Sequence, residues 1–600
     1  MGLQLEAIEK QRQQAIAEQA AWEKQAGRIG AARLAAMLVV FLGLIVGVKD
    51  DRPIYYGLAI AALVVFVLLL FKHQQIKNRA AHAKEVEKVL ARYASRFGSE
   101  WQSFDDDGSR FLKQEEPQSV DLDIFGPASV YQYLSVAHTL HGQQALARAL
   151  RLPQDTPEQL KERQEAVQEL AENWPLAVQF EALSAGALGG RSHLNMEAVE
   201  RFLKYGEKSG GELPRAQYLL SWILPIATLV SIVLALFQVI SGFWPAAGIA
   251  AQLALSMLGY GQAMNVLEPL FSLHNSISAY QGLFSELEQA EFKSPYLKKL
   301  HDQLSSQSGA TQGIKELHQI GEAVNLRYNI LLYWPACGLL MWNHHCVTAL
   351  ARWKSRYGRK MRQWMEAVGE FEALLSLAVL CQVKEQWCFP AIVESVQPVL
   401  RGEAMAHPLL VEKQAVANSV TLKAQTCVIT GSNMSGKTTF LRSIGVNLAL
   451  AYAGGPVCAQ AFEASVMKVF TSMRVHDDVS QGISTFYAEL LRIKQMVEYS
   501  QKHRPMLVLI DEIFKGTNSA DRLVGAKAVI TQLAKPWCIT LVSTHDFELC
   551  DLDKDPAVKA VNYHFSEYYV DDQIRFDYLM QPGRCQTTNA KQLMRMAGLL

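Results

Sequence analysis

The chain has 600 residues, and its 58 basic and 58 acidic side chains give a formal net charge of zero. This length exceeds what one hydrophobic core supports, so two to four folding units are expected. The balanced charge excludes the uniformly basic field that is typical of nucleic-acid binders, and any such field must be a local patch. Nine cysteines form no C-x-x-C pair and no zinc spacing, which indicates buried thiols in a reducing compartment.

The N-terminal region begins with a polar helix and continues into two apolar runs. Residues 5–28 predict an exposed helix, either simply solvated or paired in a coiled coil. Residues 34–48 and 54–71 carry no charge, and a polar turn at 49–53 separates them. Basic residues on both outer flanks predict a membrane hairpin with both ends in the cytoplasm. The alternative is a buried helical hairpin of a soluble domain.

A second uncharged region fills the middle of the chain, where no charged residue lies between Arg215 and Glu268. Its apolar runs, 218–240 and 246–260, are separated by a helix-breaking segment, and aromatic residues lie near their ends. This pattern predicts a second membrane hairpin. A fifth apolar run at 329–342 is shorter and contains proline, and it predicts a buried helix.

Two long stretches with helical periodicity flank that second hairpin, at residues 85–215 and 268–395. Within the first, Asp155 or Thr156 is expected to cap a helix that has Pro157 in its first turn. Within the second, six Lys and Arg residues between Arg352 and Arg362 form a basic run. This run either contacts phosphates or is a solvated patch that flanks a membrane.

A glycine-rich motif in the last third of the chain predicts a phosphate-binding loop. Residues 428–430 read as a buried strand, residues 439–450 as a helix, and the intervening segment matches G-x-x-x-x-G-K-T. Lys437 is expected to contact the β- and γ-phosphates of ATP, and Thr438 to ligate Mg²⁺. The predicted nucleotide-binding residues of this loop are Gly431, Ser432, Asn433, Met434, Ser435, Gly436, Lys437, Thr438 and Thr439.

Polar side chains at the ends of two further strands complete the predicted site. Residues 506–510 form an apolar strand that ends in Asp511 and Glu512, and residues 538–542 form another that leads to His545. Asp511 is placed to hold Mg²⁺, and Glu512 to act as the general base for the attacking water. His545 is expected to reach the γ-phosphate. Together these residues predict an ABC-type ATP hydrolase that uses ATP and Mg²⁺.

These segments resemble the MutS mismatch-repair ATPase family at residues 429–442, 477–490, 507–517 and 543–549. The Ser484-Thr485-Phe486 element with Glu489 distinguishes this family from transporter-type ATPases, which carry Leu-Ser-Gly-Gly-Gln instead. The resemblance implies a homodimer in which Ser484 faces the ATP of the opposite subunit. It also implies that Asn518 lies in the loop that crosses the dimer interface.

The resemblance continues more weakly at residues 121–170, which are similar to the family's core or lever domain, and at 583–599. Three features depart from the family pattern. Nothing resembles the N-terminal mismatch-reading domain with its Phe-x-Glu wedge, and no polar clamp insertion is evident. Ala415 stands where the family has its adenine-stacking aromatic residue, so adenine contact must come from elsewhere.

The sequence therefore predicts an α/β P-loop ATPase domain of ABC/MutS type, a mainly α-helical lever region and transmembrane hairpins. The expected function is a membrane-anchored, dimeric, ATP-dependent switch that contacts DNA through phosphates and lacks mismatch reading. The alternative is a membrane-associated interaction or remodelling switch that does not bind DNA. The expected location is the cell membrane, multi-pass, with a cytoplasmic ATPase domain. The predicted divisions are 1–84, 85–215, 216–267, 268–395 and 396–600.

Overall fold

The computed structural model describes most of the chain, with helices dominating the first two thirds and two sheets in the last third. The described residues are 3–50, 52–113, 115–153, 155–188, 192–208, 215–271, 274–305, 309–474, 485–515, 518–570 and 573–585.

The chain opens with two long antiparallel helices, α1 (Leu3–Asp50) and α2 (Pro53–Ser95). The predicted polar helix and the first apolar run are therefore one continuous helix. At the polar end, Arg12 forms a 2.8 Å ion pair with Glu87 across the hairpin. At the apolar end, Leu42 and Leu68 are 60% and 63% exposed. Both helices are long and apolar enough to cross a membrane by length and composition.

Thirteen α-helices follow α2 in the described chain, before a further long helix. Thr156 caps one of them through a capping box with Gln159, as the sequence predicted. They are α3 (Pro117–Asp121), α4 (Val130–Leu134), α5 (Leu140–Leu150), α6 (Pro157–Glu172), α7 (Trp174–Leu188), α8 (Ser192–Glu207), α9 (Arg215–Leu236), α10 (Phe243–Leu258), α11 (Tyr260–Phe271), α12 (His274–Gln289), α13 (Pro295–Ser305), α14 (Ala310–Asn325) and α15 (Ile330–Leu340).

Helices α9, α10 and α15 form a second apolar group. The Gln252 side chain donates a 2.6 Å hydrogen bond to Thr228 between α9 and α10, and α15 packs on α10 close to Gly338. Helix α9 is also long and apolar enough to span a membrane, whereas α10 and α15 are shorter. The prediction that residues 329–342 form a buried helix is wrong. Helix α15 is apolar all round but packs against the rest of the protein on one side only. Leu331, on its other side, is therefore 85% exposed.

Helix α16 (Trp342–Val383) is the spine of the helical region. Its 42 residues extend for about 63 Å. Near its start the His345 ring lies 4.8 Å from the Trp222 ring of α9, and near its end Leu377 packs against Gly455 of the α/β domain. Between these points the buried Glu372 carboxylate accepts hydrogen bonds from hydroxyls of α5 and α7 and from backbone N–H groups. Burial raises the pKa of Glu372.

Among its described residues, the last third of the chain contains two sheets and three α-helices. The helices are α17 (Lys437–Ala453), α18 (Thr485–Ser500) and α19 (Ser519–Leu533). The strands are β1 (Ala391–Val393), β2 (Val399–Met405), β3 (Asn418–Lys423), β4 (Thr426–Thr430), β5 (Ala461–Ser465), β6 (Lys468–Ser472), β7 (Met506–Asp511), β8 (Cys538–Thr544), β9 (Ala560–Val570) and β10 (Gln573–Pro582).

The larger sheet has the strand order β10-β9-β4-β8-β7-β6 and is parallel except for the edge strand β10. In this register Ile429 and Asp511 both pair with Ser543. The carboxyl ends of β4, β7 and β8 therefore meet at one edge, which is where parallel α/β sheets place their ligands. Strands β4, β7 and β8 are buried throughout, because α17 and the helical region cover one face and α18 and α19 the other.

The helical region is joined to the α/β domain by a buried carboxylate. Asp121, at the end of α3, is fully buried and accepts hydrogen bonds from the Thr471 hydroxyl and from the backbone N–H groups of Met473 and Arg474. Arg492 of α18 adds an ion pair at 3.2 Å. Four residues of the α/β domain, in β6, in the segment after it and in α18, thus converge on one carboxylate of the helical region.

Replacing Asp121 by alanine is expected to destabilise this joint strongly. The change leaves Arg492 without its buried partner, and losses of this kind cost about 3–5 kcal/mol. Differential scanning fluorimetry of the purified chain would measure the shift in unfolding temperature. The matched control is Asp551→Ala, which removes an exposed pair with Lys554 and is expected to leave the unfolding temperature nearly unchanged. Equal shifts in the two variants would contradict the assigned role of Asp121.

Candidate nucleotide-binding site

A glycine-rich loop connects the buried strand β4 to the N-terminus of α17. Gly431 and Gly436 have φ angles of 149° and 108°, backbone conformations that residues other than glycine rarely adopt. A Cβ atom on Gly431 would lie 2.8 Å from the carbonyl oxygen of Phe565. The loop therefore needs glycine at this position, and it ends where the first N–H groups of α17 lack intrahelical partners. Such a helix N-terminus favours anions.

Lys437 lies in the first turn of α17 and folds over the loop. Its ammonium group donates hydrogen bonds to the carbonyl oxygens of Gly431 at 2.9 Å and Ser432 at 2.7 Å. Burial lowers the pKa of Lys437, and the nearby carboxylates of Asp511 and Glu512 oppose that shift. The side chain is thus a nearly buried cation held at the centre of the loop.

Thr438 and Asp511 bring oxygen atoms together beside Lys437. The Thr438 hydroxyl donates a 2.9 Å hydrogen bond to one carboxylate oxygen of Asp511, and the Ser543 hydroxyl donates to the other. Hydroxyl and carboxylate oxygens are the ligands that Mg²⁺ prefers. The Ser435 hydroxyl of the same loop is buried and has no hydrogen-bond partner among the described residues. This donor set fits a magnesium–phosphate group.

Glu512 and His545 are in direct contact beside the loop. His545 Nε2 lies 3.0 Å from a carboxylate oxygen of Glu512 and 2.7 Å from the side-chain oxygen of Asn433. Glu512 has a φ angle of 56°, so its backbone is in the left-handed region at the end of β7. The Lys515 ammonium group is 3.5 Å from the Glu512 carboxylate. The structure therefore brings the two residues together, as their positions after neighbouring strands predicted.

The other predicted site residues are placed less closely. Met434 is 86% exposed at the tip of the loop with a φ angle of 66°, and Thr439 is exposed in the first turn of α17. Asn518 is exposed and caps α19 by accepting a 2.9 Å hydrogen bond from the Asp521 N–H. Ser484 lies outside the described residues, as does most of the 477–490 segment.

Three residues beside the loop, Tyr578, Asn418 and Glu567, were missed by the sequence analysis as site residues. The Tyr578 ring of β10 packs against Gly436, where an added Cβ would lie 3.3 Å from it. The Asn418 side chain holds that point of β10 by bonding the Tyr578 carbonyl and the Met580 N–H. Glu567 of β9 accepts a hydrogen bond from the Ser432 hydroxyl. Strand spacing alone gave no signal for the Tyr578 contact, because Tyr578 lies where the register of β10 is irregular.

Glu489 contributes to the site by shaping the backbone after Glu512. Its carboxylate accepts a 2.6 Å hydrogen bond from the N–H of Phe514, whose φ angle is 59°. Burial raises the pKa of Glu489. The sequence singled out Glu489 only for its place in the Ser-Thr-Phe-x-x-Glu element. The structure shows that it supports the segment that carries Asp511 and Glu512.

The sheet, the glycine-rich loop at a helix N-terminus and the carboxylates at adjacent strand ends define an α/β domain whose loop is typical of phosphate-binding proteins. Comparison with known proteins finds a family model that matches this domain. Residues 427–599 match the family model "MutS domain V". The C-terminal part of the chain thus matches MutS domain V, which confirms the predicted resemblance to the MutS family.

Known proteins are similar over about two fifths of the chain. "DNA mismatch repair protein MutS" of Aquifex pyrophilus is 30% identical over 239 residues, which cover 39% of this chain and 27% of that protein. "DNA mismatch repair protein MutS 2" of Halobacterium salinarum is 32% identical over 251 residues, which cover 40% of this chain and 28% of that protein. The chain thus matches about a quarter of the length of these relatives.

Proposed function

We propose that the chain is an ATP hydrolase of MutS type that works as a membrane-anchored, dimeric switch. The observation that carries the proposal is the contact of Glu512 with His545, which is tied to the loop through Asn433. This pair lies at the same sheet edge as Lys437, Thr438 and Asp511. A candidate general base, a metal-binding set and a phosphate-binding loop therefore occupy one site.

The loop and Lys437 bind and orient the triphosphate in this proposal. The N–H groups at the start of α17 donate hydrogen bonds to the phosphate oxygens. The Lys437 ammonium group, which here bonds two loop carbonyl oxygens, exchanges these partners for phosphate oxygens. The Thr438 hydroxyl and the Asp511 carboxylate would hold Mg²⁺, which supplies charge neutralisation of the phosphates when bound. Ser543 keeps Asp511 oriented through its hydrogen bond.

Glu512 and His545 divide the remaining chemistry. Glu512 accepts a proton from the attacking water, and its contact with His545, which also contacts Asn433, places its carboxylate beside the loop. His545 contacts both Glu512 and Asn433 through its Nε2 atom, so it can position the water or the γ-phosphate. Tyr578 offers an aromatic ring beside the loop, and we assign it the adenine contact for which Ala415 is unsuited.

Lys437→Ala is expected to abolish nucleotide binding, whereas Glu512→Gln is expected to retain ATP and stall hydrolysis. The reason is that one side chain binds phosphate and the other moves a proton. Loss of a positioned base costs about 10²–10⁴ in rate. Equilibrium binding of a fluorescent ATP analogue and phosphate release would measure the two effects separately.

The matched controls are Lys554→Ala and Glu498→Gln, which change exposed side chains of the same domain. Both are expected to bind and hydrolyse ATP like the unaltered chain. Near-normal turnover by Glu512→Gln would refute the assignment of the general base.

The membrane part of the proposal is supported by the exposed apolar surfaces of the long helices. In the described chain α1, α2 and α9 meet the length and composition of membrane spans. Leaving such surfaces in water would cost roughly 25 cal/mol for each Å². Insertion of both apolar groups places the short connections after α1 and α9 on the side of the bilayer opposite the ATPase domain.

The chain is expected to fractionate with membranes and to resist extraction by high salt and alkaline wash, because apolar insertion needs no ion pairs. Single cysteines introduced near Asp50 and at Gly242 should react with an impermeant thiol reagent from outside. A cysteine at exposed Lys494 should be protected in intact cells. Recovery of the chain in the soluble fraction without detergent would refute membrane anchoring.

Dimerisation is proposed from the family resemblance of the segment that contains Ser484. ATPase activity should then require two subunits, since each site would use the partner subunit's Ser484. Mixing a Ser484→Ala variant with a Lys437→Ala variant should restore one composite site in each mixed dimer. Phosphate release from the mixture would measure it, and mixed dimers without any recovered activity would rule out a shared site.

Two classes of partner remain for the switch, and the relatives' printed names favour DNA. One observation favours the alternative, a switch that does not bind DNA. Within the basic run at 352–362, Lys354 is buried against the Tyr205 ring, and Arg362 pairs with Glu200 and Glu207. The run thus offers fewer free charges than its sequence predicts.

If DNA is bound, binding should be weak, steeply salt-dependent and similar for matched and mismatched duplexes. Fluorescence anisotropy across a salt series, with and without ATP, would measure this. A mismatch preference beyond about tenfold, or roughly 1.4 kcal/mol, would reveal a reading element. The absence of binding even at low salt would support the interaction switch.

A further inference from the structure

A cavity of about 520 Å³ lies between α14 and the first turns of α16. Its walls are fixed by two tryptophans of α16 that donate hydrogen bonds to carbonyl oxygens of α14. Trp342 donates to Ala323 at 2.8 Å, and Trp353 donates to Gly313 at 2.7 Å. The cavity is therefore part of the packed structure rather than a gap between loose side chains.

The lining of this cavity changes from apolar to basic along α16. Trp342 lines one end together with Ile320 and Ala323 of α14, close to the exposed apolar helix α15. Arg352 and Arg356 line the other end and are exposed. Ten residues of helix separate Trp342 from Arg352, which is about 15 Å.

The basic end of the cavity is level with the start of the candidate span α9. The Arg352 guanidinium donates a 2.7 Å hydrogen bond to the Tyr218 hydroxyl and lies 5.5 Å from the centre of that ring. Tyr218 follows Arg215, the last charged residue before the uncharged region. Tyrosine and arginine at such a position are typical of the headgroup level of a bilayer.

One acidic side chain also lines the cavity, and it is engaged. A Glu316 carboxylate oxygen accepts hydrogen bonds from the Gln312 amide at 2.8 Å and the Tyr357 hydroxyl at 3.2 Å. Two exposed arginines against one hydrogen-bonded carboxylate leave the rim with a net positive charge. The cavity therefore complements a molecule with an anionic head and an apolar tail.

We infer that this cavity binds one anionic phospholipid of the leaflet facing the ATPase domain, with its phosphate at Arg352 and Arg356 and an acyl chain toward Trp342. Phosphates of DNA share the headgroup chemistry, but a duplex offers nothing to fill the apolar end. The inference rests on the proposed membrane anchoring and is independent of ATP hydrolysis. A bound lipid would hold α14 against α16, and it would thereby hold α16 and the helical region packed around it against the bilayer.

The test is thermal stability of the full detergent-purified chain titrated with short-chain phosphatidylglycerol. Phosphatidylcholine of the same chain length, inorganic phosphate and a DNA duplex form the other arms. Phosphatidylglycerol alone should raise the unfolding temperature. The double variant Arg352→Gln/Arg356→Gln should weaken this response about tenfold or more, because each basic group near a membrane surface contributes to anionic lipid binding.

Two further variants separate the parts of the site. Arg359→Gln removes an exposed charge of the same run outside the cavity and should respond like the unaltered chain. Ala349→Trp should fill the cavity and remove the response while keeping both arginines. A variant that unfolds before titration is replaced by Ala349→Leu, which fills the cavity less and should still weaken the response.

Equal stabilisation by phosphatidylcholine, stabilisation by inorganic phosphate alone, an arginine-dependent response to DNA, or no response to any ligand would each overturn the inference. Failure of the anchoring proposal is recognised independently by the alkaline wash. A chain that stays in membranes after the wash yet shows no preference for the anionic lipid would refute the lipid site alone.

Discussion

The structure depends on the packing of one helix, α16, against nearly the whole helical region. Its side chains are buried along most of its length, so it cannot bend or slide without disrupting the cores around it. It contacts the apolar helices at its start through His345 and the α/β domain at its end through Leu377. A close-packed rod between two regions transmits displacement rather than absorbing it. The Asp121 joint gives the α/β domain a second, polar attachment to the same helical region.

These two attachments reach different elements of the α/β domain. The α16 end packs near Gly455, which follows α17, whereas Asp121 holds the segment after β6 and reaches α18. Helix α17 begins with the glycine-rich loop, and α18 carries Glu489, which supports the segment that contains Glu512. A change of conformation at the loop therefore bears on both joints. The arrangement suits a domain with two conformations, because each of the two attachments would transmit the change to the helical region.

Much of the α/β domain could be predicted, because its signals are local. Strand, glycine loop and helix follow one another in sequence, and the residues after parallel strands meet at one edge whatever the connections are. The sequence therefore assigns Asp511, Glu512 and His545, which follow two strands, to the same site as the glycine-rich loop. Tyr578 was missed because its position depends on an irregular register in β10, and Asp121 because its partners lie about 350 residues away. The exposure of α15 was wrongly predicted because an apolar run reads the same whether protein or lipid covers it.

The hairpin of α1 and α2 has a consequence for how partners are found. Arg12 and Glu87 hold the two helices together at its polar end, and Trp174 of α7 binds that end to the helical region by donating a hydrogen bond to Gln11. In a chain inserted as proposed, the helical region is thus attached directly to helices that cross the bilayer, and not through a flexible linker. Such a molecule diffuses in two dimensions with a fixed orientation, so part of the rotational entropy cost of association is already met. Two copies then meet at a raised effective concentration, which favours dimers at low abundance.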